Sequence, residues 1–170
     1  FDENDHELSA EIKYDNSISD NETEILNTET FPLDEVSEQK YVKNEKADNF
    51  YAKVDYTLPI KETGKFEAGF KTNFRNYDND FASSNLNQST LLFEPIADFT
   101  SEINYKENIY AFYVNYSKQY EKLSFSVGFR TEITETTITE KILEEDFVNN
   151  YTNLFPNILF TYTLHEQNVI

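Results

Sequence analysis

Two histidines, His6 and His165, and two acidic runs, Asp78-Asn79-Asp80 and Glu144-Glu145-Asp146, are the residues of this 170-residue chain whose types could carry chemistry. An imidazole can move protons near neutral pH, and neighbouring side-chain oxygens can ligate calcium. Neither grouping has the company its chemistry needs. The chain has no cysteine, no serine stands in a nucleophile-elbow setting, and both histidines fall in predicted short turns. The acidic runs lack the glycine and distal glutamate of a complete calcium loop. The expectation is solvated turn and loop side chains, with no catalytic residue, no metal site, no cofactor and no enzyme activity. Four Asn-x-Ser/Thr sequons begin at Asn21, Asn87, Asn115 and Asn150, as an asparagine-rich sequence produces by chance, and Asn115 falls inside a predicted strand.

With chemistry so sparse, the composition decides what class of protein this is. A net charge of −18 with no cluster of Lys or Arg excludes nucleic acid as a partner. The absence of cysteine excludes a disulfide scaffold and thiolate metal sites. Acidic disordered chains are poor in aromatics, whereas this one has 12 Tyr and 15 Phe, so part of it is built to be covered. No stretch approaches the roughly 20 apolar residues of a membrane helix, which leaves open a membrane strand of about 9 to 11 alternating residues. The chain begins at Phe1 and stops within an apolar run at Val169-Ile170, so residues 1–170 read as a single piece incomplete at both ends.

The dominant period is two. Phe50, Ala52, Val54, Tyr56, Leu58 and Ile60 share one parity while Lys53 and Asp55 take the other. A turn containing Gly64 follows, and Phe66, Ala68, Phe70, Thr72 and Phe74 then alternate with Glu67, Lys71 and Arg75. A second hairpin pairs residues 109–118 with 123–133: Tyr110, Phe112, Val114 and Tyr116 face with Leu123, Phe125, Val127, Phe129 and Ile133. A third opens with Ile158, Phe160, Tyr162 and Leu164 and turns at 165–168, and an earlier strand carries Leu8, Ala10, Ile12 and Tyr14. Six strands are expected, with a seventh just beginning. One weak helical pattern covers 140–148.

Short turns near residues 4, 64, 121 and 167 are about 60, 57 and 46 residues apart, far more than two ordinary strands need. The surplus, residues 17–45, 81–105 and 136–153, is polar and acid-rich and reads as long excursions. Short connections at one end and long ones at the other predict an all-β, antiparallel, up-and-down transmembrane barrel, of which this chain supplies about six strands. All ten charged residues of the strand centres take the polar parity: Glu11, Lys13, Asp15, Lys53, Asp55, Glu67, Lys71, Arg75, Arg130 and Glu132. They are expected to face a hydrated lumen. Phe50, Val54, Tyr56, Leu58, Phe66, Phe70, Phe74, Tyr110, Phe112, Val114, Tyr116, Leu123, Phe125, Val127, Phe129, Ile158, Phe160 and Tyr162 are expected to face lipid. Several aromatics, such as Phe50, Phe74, Tyr110, Tyr116 and Tyr162, fall toward the ends of the alternating runs, where headgroups would lie.

Tyr56-Thr57-Leu58-Pro59, Phe66-Glu67-Ala68-Gly69-Phe70-Lys71, Arg75-Asn76-Tyr77-Asp78-Asn79-Asp80, Glu107-Asn108-Ile109-Tyr110-Ala111, Phe125-Ser126-Val127-Gly128-Phe129-Arg130-Thr131-Glu132 and Asn153-Leu154-Phe155-Pro156-Asn157 resemble the outer-membrane β-barrel family related to TonB-dependent receptors. The resemblance runs from about residue 6 to the end and is similar to an internal part of the carboxy-terminal barrel. It implies a Gram-negative outer membrane, nutrient uptake, and as partners the membrane lipid, the remaining strands, a plug of the same protein and other outer-membrane or periplasmic proteins. A non-transporting structural barrel in an assembly or secretion complex would carry the same segments. A soluble ligand-binding β-sandwich or calyx is the third alternative.

Overall fold

The structure, a computed structural model, describes residues 6–29, 35–165 and 168–169. Six long strands follow one another up and down: β1 (Glu7–Glu29), β2 (Glu35–Ile60), β3 (Gly64–Asn87), β5 (Ser101–Tyr120), β6 (Leu123–Glu140) and β7 (Glu145–His165). The short β4 (Leu92–Pro95) pairs back on β3, one turn of 3-10 helix (Ala97–Phe99) follows it, and β8 (Asn168–Val169) begins a seventh course. The sheet order is β1-β2-β3-β5-β6-β7-β8, antiparallel throughout, and β1 and β8 are its two ends. Among the described residues no helix is long and apolar enough to cross a membrane.

Two expectations fail. The excursions are ladder: β2 pairs with β3 from Ile60↔Gly64 up to Gln39↔Asn85, and β1 with β2 up to Glu29↔Glu35. The helical pattern at 140–148 is the end of β6, a turn at 141–144 and the start of β7. Both errors have one cause. Where water lies on both sides of a sheet, neither face needs to be apolar, so a strand there has no period of two to read. The turn expected near residue 4 and the centre of the last one, 166–167, lie outside the described residues.

At the end with short turns the chain reverses within 61–63 and 121–122, and Lys61 (φ 56°) and Glu121 (φ 34°) take the left-handed conformation that closes a tight hairpin. At the other end Leu91 (φ 56°) and Glu144 (φ 55°) do the same. Leu91 is 71% exposed, its N–H is bonded to the Asn87 carbonyl at 2.8 Å, and its side chain gains nothing there. Leu91→Gly is therefore expected to stabilise the sheet by about 1 kcal/mol, the order of the penalty an L-residue meets in this region. The check is a higher temperature of conversion from the compact to the unfolded band in detergent gels.

The register puts the apolar side chains on one face. Leu8↔Tyr56, Val54↔Phe70, Phe70↔Phe112, Val114↔Phe129 and Phe125↔Phe160 are directly opposed pairs, and opposed residues point the same way. Rings meet across strands at Phe50–Phe74 (6.0 Å) and Phe70–Phe112 (4.8 Å), and at Tyr116–Phe125 (5.9 Å). From Phe50 to Ile60 the band covers about 34 Å of strand, or about 25 Å across a wall tilted by roughly 40°. Beyond Phe50, Phe74 and Tyr110 the same face turns to Asp48, Asn76 and Asn108, so these rings mark the upper limit of the band in mid-strand. Lys118 shares the apolar face, but at its lower rim, with its ammonium 4.9 Å from the Tyr120 ring. The described residues enclose no core: Ala111 is the only buried apolar one among them. The sandwich or calyx alternative needs a second layer over the apolar face, and the described residues form one sheet.

Candidate functional site

The opposite face carries the polar work of the sheet, and the ladder places its residues in rows. Glu11↔Lys53↔Lys71↔Ala111↔Glu132 forms one row, Asp55↔Gly69↔Tyr113↔Arg130 a second, Asn49↔Arg75↔Glu107 a third and Glu67↔Asn115↔Gly128↔Asn157 a fourth. With Lys13 and Asp15 opposite Tyr51 and Asn49, all ten charged residues picked out by parity share this face. They pair mostly along their own strands, two residues apart: Lys13–Glu11 (2.7 Å), Lys53–Asp55 (2.5 Å), Lys65–Glu67 (2.8 Å) and Arg130–Glu132 (2.5 Å). Arg75 reaches across to Glu107 at 3.0 Å. Lys71, set directly opposite Lys53, has no ion pair among the described residues and rests 5.2 Å from the Tyr51 ring centre, with Lys13 at 5.6 Å from the same ring. Most of these side chains are partly open to solvent, so each pair contributes little stability.

Two glycines on this face are sites of close approach. A Cβ on Gly69 would lie 2.3 Å from the Tyr113 ring, which crosses β3 there so that its hydroxyl donates to Asp55 on β2. One tyrosine thereby ties three strands. At Gly128 a Cβ would meet Asn157 at 2.8 Å and Asn115 at 2.9 Å. Asn115 in turn donates to Glu67 (3.1 Å) and accepts from Ser126 Oγ (2.8 Å), so this sequon asparagine is a bracing residue of the wall.

Of the groups that could have carried chemistry, several are engaged elsewhere, while the buried Asn79 Oδ1 and Asp80 Oδ1 have no hydrogen bond among the described residues, Asp80 lying 4.0 Å from Lys141 Nζ. Asp78 and Asp80 point to the side opposite Asn79, and Asp78 accepts from Asn104 (2.9 Å) and from Lys141 Nζ (3.3 Å). Asp146 accepts from Thr139 Oγ1 at 2.6 Å, while Glu144 stands in the turn. His6 Nδ1 meets the Tyr56 hydroxyl at 2.7 Å. The side chain of His165 lies outside the described residues.

Above the band the charged face acquires rings that the parity reading missed. Tyr77↔Tyr105↔Ile138↔Phe147 are consecutive neighbours across four strands, and Tyr41 and Phe81 stack at 6.0 Å further up. Tyr77 donates to Glu45, which Lys43 holds at 2.8 Å, and Tyr105 donates to Glu107 at 2.9 Å, which Arg75 holds. The Lys43 ammonium first, then the Tyr77 hydroxyl, keep the Glu45 carboxyl below its ordinary range, and the same bond pushes the Tyr77 phenol up. Alternation could not mark them: Asp78, Asp80, Glu102 and Lys106 take the other face in these segments, so only the ladder brings the rings into one row.

A family model described as an outer membrane protein β-barrel family matches residues 1–170. A search of curated proteins finds no match. Among solved structures, the ferric citrate transporter FecA in its unliganded form is similar at 12% identity with a TM-score of 0.58. The alignment covers 95% of this chain and 25% of that one, so the chain spans about a quarter of the length of the structure it matches.

Proposed function

The chain belongs to the outer membrane protein β-barrel family of the Gram-negative outer membrane, and from that premise we propose that it is a stretch of barrel wall in a TonB-dependent-receptor-like protein that takes up a bulky nutrient. In this reading the apolar face meets lipid, the charged face lines the lumen, and the extended ends of the strands project outside the cell. A bilayer offers strand edges no hydrogen-bond partners, so β1 and β8 must be continued by further strands of the same protein until the sheet closes. The long ladder and the mixed, hydrated inner wall suit a wide lumen that holds a plug or admits a large solute. The FecA likeness supports the shape of such a wall, and its ferric citrate belongs to that protein.

The observation that carries the reading is the register itself: it brings the alternating apolar residues of β2, β3, β5 and β6, with Ile158, Phe160 and Tyr162 of β7, to one face over a height of about 25 Å, the thickness such a wall requires. Single-cysteine labelling of the full-length protein in native membranes tests it. Phe70→Cys is expected to react with a lipid-soluble maleimide and Lys71→Cys with a membrane-impermeant one. The opposite pattern would defeat the assignment of faces.

A further inference from the structure

At the end with short turns the apolar face meets a basic rim. Below Phe70 that face carries no carboxylate on any strand among the described residues, and Lys118 is its one charged strand residue, with its ammonium 4.9 Å from the Tyr120 ring centre. Tyr120 and Tyr116 both pack on Phe125, at 6.3 and 5.9 Å between ring centres, and Phe125 meets Phe160 at 6.4 Å. The Gln119 N–H donates to the Thr63 carbonyl at 2.9 Å and so holds the turns at 61–63 and 121–122 side by side. Between them lies an open cleft of about 600 Å³ lined by Thr63, Tyr120, Glu121, Lys122, Leu123 and Tyr162. β5 and β6 have a strand on either side, so this rim is a finished part of the wall and not an end of the sheet. We infer that it seats the phosphate of an anionic glycerophospholipid, phosphatidylglycerol being the simplest of that class, in the leaflet next to the short turns.

Charge and height name the occupant. The chain carries −18 overall, yet this rim holds Lys61, Lys118 and Lys122 against Glu62 and Glu121. None of the three lysines has an ion pair among the described residues, whereas Lys65 is held by Glu67 on the opposite face. The upper rim of the apolar face differs, because Asp48, Asp78 and Glu135 stand there. A phosphodiester is therefore repelled by most of this protein and attracted here, as anionic headgroups are by basic pockets at a membrane surface. Lys118 is half-buried, as a lysine is whose stem lies on apolar surface and whose ammonium reaches the headgroup level. In the cleft, Thr63 and Lys122 offer donors to phosphate oxygens, and Leu123 and Tyr162 offer apolar surface to an acyl chain. A zwitterionic headgroup would set its own ammonium among three lysines, and a free phosphate would leave the apolar wall of the cleft unused.

This inference rests on the apolar face being the lipid face, and the test separates the two. Full-length protein carrying the photo-crosslinker benzoylphenylalanine in place of Leu123, or in place of Phe70 at mid-band, is placed in nanodiscs of equal parts phosphatidylglycerol and phosphatidylethanolamine with matched acyl chains. Captured lipid is identified by mass spectrometry. At position 123 phosphatidylglycerol is expected to exceed phosphatidylethanolamine at least threefold, and at position 70 the two are expected in equal amounts. Lys118→Gln combined with Lys122→Gln is expected to bring the ratio at 123 to parity and to leave capture at 70 unchanged. Parity at 123, an excess of phosphatidylethanolamine there, an excess that survives loss of both lysines, or the same excess at 70 overturns the inference. If the probe at 70 captures lipid and the one at 123 captures none, the lipid seat falls and the assignment of faces stands; if neither captures lipid, the assignment of faces falls first and the seat with it.

Discussion

Phe70→Arg is expected to cost about 2 to 4 kcal/mol of folding free energy in a bilayer, the charge penalty at the midplane of a barrel's lipid face. Phe70 lies midway along the band, opposite Val54 and Phe112, and its ring sits 4.8 Å from that of Phe112, so the substitution also removes a cross-strand ring pair. Lys71→Arg puts the same guanidinium one residue further along the strand, on the other face, and is expected to change stability by less than about 0.5 kcal/mol. Reversible unfolding of the full-length protein in lipid vesicles, followed by denaturant titration, compares the two. Equal costs at the two positions would mean that both faces meet the same environment.

Gly69→Val is expected to destabilise by about 1 to 3 kcal/mol, the usual penalty of forcing atoms into an occupied space. The obstacle is specific. The new Cβ would lie within 2.3 Å of the Tyr113 ring, so the ring must leave and its hydroxyl must release Asp55. Tyr113→Ala removes the obstacle, and adding Gly69→Val to it should cost much less than Gly69→Val alone. A double-mutant cycle on the same denaturation assay reads the difference as a coupling energy. Additive costs would show that Tyr113 does not lie over Gly69.

The hairpins at 50–60 with 66–75 and at 109–118 with 123–133 were legible because there the two faces meet different surroundings. Val54 and Phe70 cannot trade places with Lys53 and Lys71 without an energetic cost, and such a cost imprints a period of two on the sequence. In residues 17–45, 81–105 and 136–153 that constraint is relaxed, and the strands persist on backbone pairing and on local contacts such as Lys43–Glu45 and Lys141–Asp78. The helical pattern at 140–148 arose there for the same reason. The aromatic row was hidden with it, since Tyr77, Tyr105, Ile138 and Phe147 lie in segments whose period had already been lost. Gly69 and Gly128 looked like ordinary strand glycines, because the need for each is set by a side chain on another strand.

In the proposed orientation, β2 and β3, which continue as a paired ribbon far past Phe50 and Phe74, would carry the cell-surface opening of the protein well away from the lipid headgroups. In that orientation antibodies, phages and proteases approaching from outside would meet the upper ends of β1, β2 and β3, with the crest at 88–91, ahead of the lower crest at 141–144. Insertions and sequence drift can accumulate at those crests while the chimney beneath keeps its bore, which makes them the natural place to graft an epitope tag for surface detection.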